Sequence, residues 1–257
     1  MQEIQPQLRT IESLLETFNP VGLEDMDKVK LLTRKDTKYL LNNEKIATIL
    51  EAVKDDYYIV EINGHRHMQY KTLYYDTPDY WLYTLHHNGK LNRYKVRSRS
   101  YVDTDTSFFE IKFKDNKKNT VKSRYTIDEI QKRLDDEAKG FIANKTTIGA
   151  NNLVPAMWVY YKRLTLVSKQ FDERATIDTD LSFEFNGKTK EYKGLVIGEL
   201  KQDKFTENSK ISQVLRDMKI GEEGMSKYCL GVASIIEGVK TNNFKEKILK
   251  IEKEINL

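Results

Sequence analysis

The sequence predicts an α+β protein in which a mostly antiparallel β-sheet is packed against helices. Three observations indicate this class. Basic and apolar residues alternate along several extended segments, short polar connectors join many of those segments, and apolar residues recur at helical spacing elsewhere. A period of two is typical of strands with one covered face, whereas a period near 3.6 marks the buried stripe of a helix.

The N-terminal elements follow from these patterns. Residues 7–18 place leucine, isoleucine and phenylalanine on one helical face, and a polar connector leads to a strand over Leu31–Leu41. A helix is predicted next, with Asn43 near its start and with Ile46, Ile49, Leu50 and Val53 as its buried stripe. The segments 56–62 and 67–77 are rich in tyrosine and β-branched residues, which indicates two further strands.

The remaining elements are predicted in the same way. A short helix is expected over 79–87, with His86-His87-Asn88-Gly89 as the turn that follows. Short polar connectors then predict an antiparallel meander. The predicted strands are 91–101, 106–115, 120–128, 157–168, 173–185 and 191–201, with a helix at 127–141 and C-terminal helices at 210–218, from Ser226, and at 244–255.

Composition narrows the class of protein. The chain has 257 residues, 43 basic and 39 acidic side chains, and a single cysteine, Cys229, so it cannot form an internal disulfide. We expect a cytoplasmic protein, because the N-terminus lacks a secretory signal and no apolar run is long enough to span a bilayer. The net charge of only +4 and the lack of a basic tail argue against nucleic acid as a partner.

The most informative segment is a row of four basic residues at every second position. Arg93, Lys95, Arg97 and Arg99 project from one face of a predicted strand, about 6 to 7 Å apart. Such a row is suited to a polyanion. Basic residues recur in other extended segments, at Arg34, Lys38, Lys112, Lys114, Lys122, Arg124, Arg163, Arg174 and Lys201.

Two arrangements fit this alternation equally well. The charged faces of an antiparallel sheet can point to solvent, which is their commonest orientation. Alternatively, the sheet closes into a barrel with the charged face inside and the helices outside. The scarcity of acidic residues on the basic faces favours the barrel, because exposed strands usually mix charges of both signs.

An ordered series of motifs then resembles a known family. The series runs through RKDTKYLL, YYDTPDYWLY, YKVRSRSY, FFEIKFK, KSR, YYKR, ERATIDTDLSF, GELK and MSKYCLG, over residues 31–231. It is similar to the VTC domain, the catalytic domain of vacuolar transporter chaperone polyphosphate polymerases. That family belongs to the CYTH or triphosphate tunnel metalloenzyme superfamily. Each motif is weak alone, but their succession in this order is specific.

The resemblance implies an antiparallel β-barrel tunnel with helices packed outside. It implies a single domain over 1–257, with a helix and connector in 1–30, barrel strands in 31–201 and helices in 205–257. The implied substrates are a nucleoside triphosphate, which we expect to be ATP although the sequence does not distinguish among nucleotides, and inorganic polyphosphate. The implied cofactor is Mn²⁺ or Mg²⁺. The residues carried over by motif are Arg97, Arg99, Lys112, Arg163 and Arg174 for catalysis, Arg34, Lys38, Lys95, Lys122, Arg124, Tyr161, Lys201, Ser226 and Lys227 for phosphate binding, and Glu199 for the metal.

Two features depart from the family pattern. The family commonly has a lysine two residues before the serine of the SKY segment, where this chain has Gly224. The eukaryotic polymerases also carry a regulatory domain and membrane helices that are not found in this sequence. Transport of a product across a membrane would therefore need a membrane-protein partner.

The expected function is metal-dependent polyphosphate synthesis, with two alternatives. A tunnel triphosphatase would use the same basic residues, but hydrolases of the superfamily carry a Glu-x-Glu pair on the first strand, where this chain has Arg34-Lys35-Asp36. A noncatalytic polyphosphate-binding or nucleic-acid-binding module is the other alternative. A P-loop is excluded, because Gly187-Lys188-Thr189 lacks the upstream glycine, and the pair His65 and His67 has no further metal ligands nearby.

Overall fold

A computed structural model describes residues 10–26, 34–117, 119–203 and 209–255 of the chain. Within these ranges the strands are β1 (Pro20–Val21), β2 (Arg34–Asn42), β3 (Tyr57–Val60), β4 (Met68–Asp76), β5 (Arg93–Tyr101), β6 (Thr106–Lys114), β7 (Thr120–Ile127), β8 (Val154–Ser168), β9 (Glu173–Phe185), β10 (Lys188–Tyr192) and β11 (Leu195–Asp203). The α-helices of the same ranges are α1 (Ile11–Leu15), α2 (Leu23–Met26), α3 (Glu44–Val53), α4 (Trp81–His87), α5 (Asp136–Lys145), α6 (Lys210–Asp217), α7 (Lys227–Ile235) and α8 (Asn242–Ile255).

The chain is organised into two compact units that are interleaved along the sequence. Unit 1 comprises Met1–His67, Arg163–Thr179 and Gly194–Gly224. Unit 2 comprises Met68–Lys162, Asp180–Lys193 and Met225–Leu257. The long strands β8 and β9 each contribute residues to both units.

Unit 1 is built on a sheet with the strand order β2-β11-β9-β8-β3-β1. Its pairings are antiparallel along β2, β11 and β9 and between β3 and β8, while β1 runs parallel to β3. The register places Lys38 opposite Glu199 and Lys201 between Asp36 and Arg174. Since directly opposed residues share a face, these charged side chains lie on one side of the sheet.

The other side of this sheet carries the core of unit 1. Tyr39, Leu41 and Leu200 from the strands pack with the apolar stripe of α3 and with Ile211 of α6. The stripe of α3 consists of Ile46, Ile49, Leu50 and Val53, as the sequence predicts. The N-terminus of α6 is closed by Ser209, whose hydroxyl accepts a hydrogen bond from the Ser212 backbone N–H.

Unit 2 contains a second sheet face with the strand order β10-β9-β8-β4-β5-β6-β7. The β4–β5 pair is antiparallel, and so are the hairpins β5–β6 and β6–β7, which confirm the meander predicted over 91–128. The core of unit 2 lies on one side of it, where Leu73, Val96, Phe109 and Ile111 pack with Ile142 of α5. The strand residues between these positions point to the opposite side.

Most predicted elements are confirmed, but three are wrong in detail. His86 and His87 lie in the last turn of α4 rather than in a loop, so the turn begins only at Asn88. The predicted strand 191–201 is a hairpin of β10 and β11, because Gly194 has a φ of +83° and reverses the chain there. These differences leave the strand order of each unit unaffected.

The third difference concerns the helix predicted over 127–141. Residue 127 still belongs to β7, and α5 begins only at Asp136. The carboxylate of Asp135 accepts a hydrogen bond from the Ala138 backbone N–H and so caps the helix at this point. Asp135 therefore caps α5, and Asp136 and Glu137 form its first turn, rather than lying in the middle of a longer helix.

The α+β class with mostly antiparallel strands is confirmed. The sheet of each unit is open: in the described residues β2 and β1 are the edges in unit 1, and β10 and β7 are the edges in unit 2. Neither unit thus forms a closed barrel by itself, and the single domain over 1–257 stays a prediction. Among the described helices, none has the length and apolar character that crossing a bilayer requires.

Candidate functional site

Strands β5, β6 and β7 present a charged face in unit 2, which we call the basic face. Its register is fixed by the two hairpins, which align each basic residue of β5 with positions on β6 and β7. The charged residues of this face are Arg93, Lys95, Arg97 and Arg99 of β5, Glu110, Lys112 and Lys114 of β6, and Lys122 and Arg124 of β7. Eight cations thus accompany a single carboxylate. The predicted division into a charged and an apolar side is confirmed on these strands.

The carboxylate of Glu110 holds two of these cations. Its side chain is only 1% exposed and receives the Arg97 guanidinium through Nε at 2.7 Å and Nη2 at 2.6 Å. Lys122 forms a second salt bridge with the same carboxylate. Burial raises the pKa of Glu110, but Arg97, Arg99 and Lys122 outweigh burial and lower that pKa to about 2. Arg97 is therefore held in one orientation and keeps its charge, since Tyr74 and Glu110 overcome burial and raise its pKa.

Arg99 is buried without such a partner. It is 8% exposed, and its hydrogen bond in the described residues runs from Nε to the Thr72 hydroxyl at 3.3 Å. The rings of Tyr70 and Tyr161 lie 5.6 and 6.0 Å from its guanidinium carbon. None of the carboxylates in the described ranges forms a salt bridge with it. A buried guanidinium that no carboxylate contacts directly is suited to binding an anion, which would accept hydrogen bonds from its remaining N–H donors.

The N-terminus of α7 lies beside the basic face. Ser226 caps this helix, and its hydroxyl accepts a hydrogen bond from Lys95 Nζ at 2.9 Å. The Nζ of Lys227 lies 4.7 Å from the centre of the Tyr161 ring. Burial lowers the pKa of Lys95, which shows that its ammonium is held in a region short of solvent. Helix N-termini favour anions, and here two lysines add to that effect.

Unit 1 has its own charged face, formed by Lys38 of β2, Glu199 and Lys201 of β11, Arg174 and Asp178 of β9, and Arg163 of β8. Arg163 binds Asp178 with two hydrogen bonds, from Nε at 2.5 Å and from Nη2 at 2.8 Å. Asp178 is 2% exposed, so this is a buried bidentate pair. The pair fixes the guanidinium plane of Arg163.

Glu199 is shared by two lysines. Lys38 Nζ lies 2.5 Å from one carboxylate oxygen, and Lys201 binds the other. Burial lowers the pKa of Lys201 to about 7, a shift that Asp36 opposes and that Lys38, Arg174 and Arg163 increase. The ammonium of Lys201 is thus crowded by like charges, and an incoming anion would relieve that repulsion.

Gly224 lies directly against this arrangement. A β-carbon at that position would sit 2.9 Å from the Lys38 β-carbon and 3.0 Å from its δ-carbon. The backbone N–H of Glu223 also donates to the Lys38 carbonyl at 2.8 Å. Glycine at this position therefore allows the 222–224 segment to pack on the aliphatic part of Lys38. A larger residue at 224, such as the lysine that is common in the family, would require Lys38 or this segment to move.

A divalent metal is implied by the family, and Glu199 is the residue that would hold it. No group of three or more aspartate, glutamate, histidine or cysteine side chains that could bind a metal occurs in the described ranges. One carboxylate suffices for Mg²⁺ or Mn²⁺ when phosphate oxygens and waters supply the other ligands. Glu199 could bind a divalent cation as the one protein carboxylate in such a site. Its two oxygens would become available to the cation when Lys38 and Lys201 pair with phosphate instead.

The predicted residues are divided between the two units. Arg97, Arg99, Lys95, Lys112, Lys122, Arg124, Tyr161, Ser226 and Lys227 lie in unit 2, whereas Lys38, Arg163, Arg174, Glu199 and Lys201 lie in unit 1. Lys112, Lys122 and Arg124 are exposed. Arg34 begins β2, but its side chain lies outside the described part of the structure. The expectation that basic faces lack acidic partners is wrong for Arg97, Lys122 and Arg163, since Glu110 and Asp178 bind them.

Sequence reasoning missed three residues at these faces. Alternation places Glu110 and Asp178 on charged strand faces, yet nothing in one sequence identifies which cation each would bind. Tyr74 lies opposite Arg97 in the β4–β5 register, which one sequence does not reveal. Tyr74 is two residues from both Thr72 and Asp76, so strand alternation places these three side chains on the polar face of β4. That alternation is the signal in the sequence that could have identified Tyr74.

Comparison with known proteins identifies the family. The family model described as VTC domain matches residues 33–236, well over half of the 257 residues. The chain belongs to the VTC domain family. No curated protein matches it in sequence.

Three solved structures show a distant likeness to this chain. A conserved hypothetical protein from Pyrococcus furiosus is 11% identical with a TM-score of 0.42, covering 77% of this chain and 99% of the other. A Pyrococcus horikoshii protein is 12% identical with a TM-score of 0.45 and the same coverage of both chains. A proposed adenylyl cyclase from Hippeastrum, described as having a dominant triphosphatase activity, is 11% identical with a TM-score of 0.49, covering 79% and 97%. Likeness at this level carries no argument about the reaction.

Proposed function

We propose that this protein is a polyphosphate polymerase that transfers the γ-phosphate of a nucleoside triphosphate, ATP in the first instance, to a growing inorganic polyphosphate chain. In each cycle the bond between the γ-phosphorus and the nucleoside diphosphate breaks. A new phosphorus–oxygen bond forms to the terminal phosphate of the chain. That acceptor oxygen is already ionised, so the step needs no general base.

The observation that carries this proposal is the buried guanidinium of Arg99, which forms no salt bridge with the carboxylates of the described residues. It is 8% exposed, and its hydrogen-bond partner in these residues is the neutral Thr72, so an anion would be a suitable ligand. Eight cations accompany one carboxylate on the basic face, which suits a ligand with many negative charges rather than one. Inorganic polyphosphate and the triphosphate of a nucleotide have that character.

The remaining residues support phosphoryl transfer by positioning and charge neutralisation. Glu110 holds Arg97 in a fixed orientation, and Asp178 does the same for Arg163, so neither guanidinium has to be ordered when phosphate binds. Arg174, Lys38 and Lys201 add positive charge on the face of unit 1. Arg34, Lys112, Lys122, Arg124, Tyr161, Ser226 and Lys227 are proposed to contact phosphates or to support residues that do.

A divalent cation, Mn²⁺ or Mg²⁺, is proposed on Glu199. When bound there, it would neutralise charge on phosphate oxygens. Passage of the product across a membrane would further require a membrane-protein partner. Glu199 releases Lys38 and Lys201 in this scheme, and both ammoniums then pair with phosphate.

A triphosphatase is the second candidate, because buried arginines with fixed orientation would hold a triphosphate for attack by water equally well. The test is to incubate the purified protein with ATP and Mn²⁺ and to measure both long-chain polyphosphate on a gel and free phosphate in solution. Polymer with little free phosphate supports the polymerase, and free phosphate without polymer supports the triphosphatase. Neither product, with retained polyphosphate binding, would indicate a binding module.

Variants connect the assay to the site. Arg97→Ala and Arg163→Ala should each reduce turnover at least about a hundredfold, since each removes a charge-assisted contact that positions phosphate. Lys71→Ala is the matched control, because Lys71 is a basic residue of β4 that packs over Trp158 rather than on the basic face. Full turnover in Arg97→Ala would contradict the assignment.

A further inference from the structure

Tyr74 occupies a central position beside the basic face of unit 2. It lies directly opposite Arg97 in the register of β4 and β5, and it is 5% exposed. Its ring stacks on Tyr228 with a centroid distance of 4.9 Å and an interplanar angle of 25°. Tyr228 is held in turn by a hydrogen bond from its hydroxyl to the Asp76 carboxylate at 2.5 Å. The Tyr74 ring is therefore held by stacking on Tyr228 and by its position opposite Arg97.

The hydroxyl of Tyr74 uses only its acceptor capacity. Arg97 Nη1 donates to it at 3.0 Å. Within the described residues no group accepts the hydrogen of this hydroxyl. A buried phenol can both accept and donate, so one donor is left without a partner next to a guanidinium that we place in the phosphate-binding site.

We propose that the Tyr74 hydroxyl donates a hydrogen bond to a bound phosphate oxygen, and that phosphate binding therefore requires this hydroxyl to keep its proton. The inference rests on the proposed function, because it assigns a further ligand contact at the same site. It also predicts how the site responds to pH. Tyr74 is then a ligand-binding residue whose protonation controls the affinity.

The charged surroundings make that proton easy to lose. Burial raises the pKa of Tyr74, but Arg97, Arg99 and Lys95 outweigh burial and lower it to about 8. The titratable groups that face it are these three residues of β5 and Tyr228 of α7, with Glu110 of β6 behind Arg97. Without ligand, the phenolate partly neutralises the basic face above pH 8.

Ligand binding must then restore the proton. A phosphate oxygen can accept a hydrogen bond from the phenol, whereas it is repelled by the phenolate. Affinity should thus be full below pH 8 and should fall by about tenfold by pH 9, where only about one Tyr74 in ten still carries its proton.

The experiment measures the affinity for inorganic tripolyphosphate by calorimetry at about pH 7 and about pH 9, in the wild type and in Tyr74→Phe. Phenylalanine keeps the stacking on Tyr228 and removes the donor. We expect Tyr74→Phe to bind about tenfold more weakly at pH 7 and to match the wild type at pH 9. A purely structural role, acting through Arg97, would give the same loss at both pH values and would overturn the inference.

Two further measurements complete the test. The ultraviolet absorbance of phenolate should show one tyrosine with a midpoint near pH 8 in the unliganded wild type and not in Tyr74→Phe. Tyr75→Phe is the matched control, since Tyr75 is the adjacent tyrosine on the core side and donates away from the basic face, so its affinity and pH dependence should be those of the wild type. Equal binding by wild type and Tyr74→Phe at pH 7 would overturn this inference alone. No binding by the wild type at either pH would overturn the proposed function, and the inference with it.

Discussion

Replacing Glu110 by glutamine removes the single carboxylate of the basic face and keeps the size of the side chain. Arg97 and Lys122 then remain near one another without their shared counter-charge. We expect two consequences of opposite sign. The unliganded protein should lose stability, whereas stabilisation by tripolyphosphate should increase, because the ligand then supplies the missing negative charge.

The magnitude follows from the pKa of Glu110. Its surroundings lower this pKa from an ordinary 4.5 to about 2. Each unit corresponds to about 1.4 kcal/mol, so the ionised carboxylate contributes about 3 kcal/mol to the free energy of unfolding at neutral pH. The carboxylate is 1% exposed, so solvent screening is small. For a protein of this size the loss corresponds to a fall in melting temperature of about 6 to 12 °C.

The direction in which this stability contribution changes with pH also follows from the pKa shift. Because the folded-state pKa is depressed, the contribution is present above about pH 4.5 and is lost as the pH falls toward 2. Urea unfolding of wild type and Glu110→Gln across this range should therefore show a difference that shrinks with acidification. Asp180→Asn is the control, since Asp180 forms an exposed ion pair with Lys162 at 3.1 Å and should cost less than about 1 kcal/mol. A Glu110→Gln protein as stable as the wild type at pH 7 would refute the reasoning.

Two other predictions concern packing and geometry. Gly231→Ala should destabilise the protein by about 1 to 3 kcal/mol, because the new β-carbon would lie 2.5 Å from the Phe183 ring. Gly140→Ala in α5 is the control, since its new β-carbon meets nothing within 4 Å and the change should be neutral or stabilising by up to about 1 kcal/mol. Thermal unfolding of both variants measures the difference. Arg163→Lys keeps the charge but loses the two-point contact with buried Asp178, so turnover should fall at least about tenfold while polyphosphate still binds; wild-type turnover would contradict the positioning role.

The sequence predicted the sheet and its faces because alternation is a local property. The parity of β5 and β6 correctly separates the basic side from the side that carries Val96 and Phe109. The buried apolar stripe of α3 could likewise be predicted from the helical spacing of its residues. Ser226 at the start of α7 could be predicted because a helix cap is decided by a few neighbouring residues.

What the sequence could not supply are contacts that depend on register between distant segments. Glu110 meets Arg97 only because β5 and β6 pair in one particular alignment. Tyr74 acquires its position through pairing with β5 and stacking on Tyr228, 154 residues further along (228 − 74). The turn at Gly194 is not evident from the sequence, because a single glycine between Lys193 and Leu195 is also compatible with a continuous strand.

The most direct test of the central claim follows the γ-phosphate itself. The protein is incubated with ATP labelled in the γ-phosphate, a divalent cation and a short polyphosphate primer, and the label is traced into polymer and into free phosphate. We predict that the label is recovered in chains longer than the primer, and that Arg97→Ala abolishes this transfer. Recovery of the label as free phosphate, with primer length unchanged, would contradict the polymerase account and identify a hydrolase.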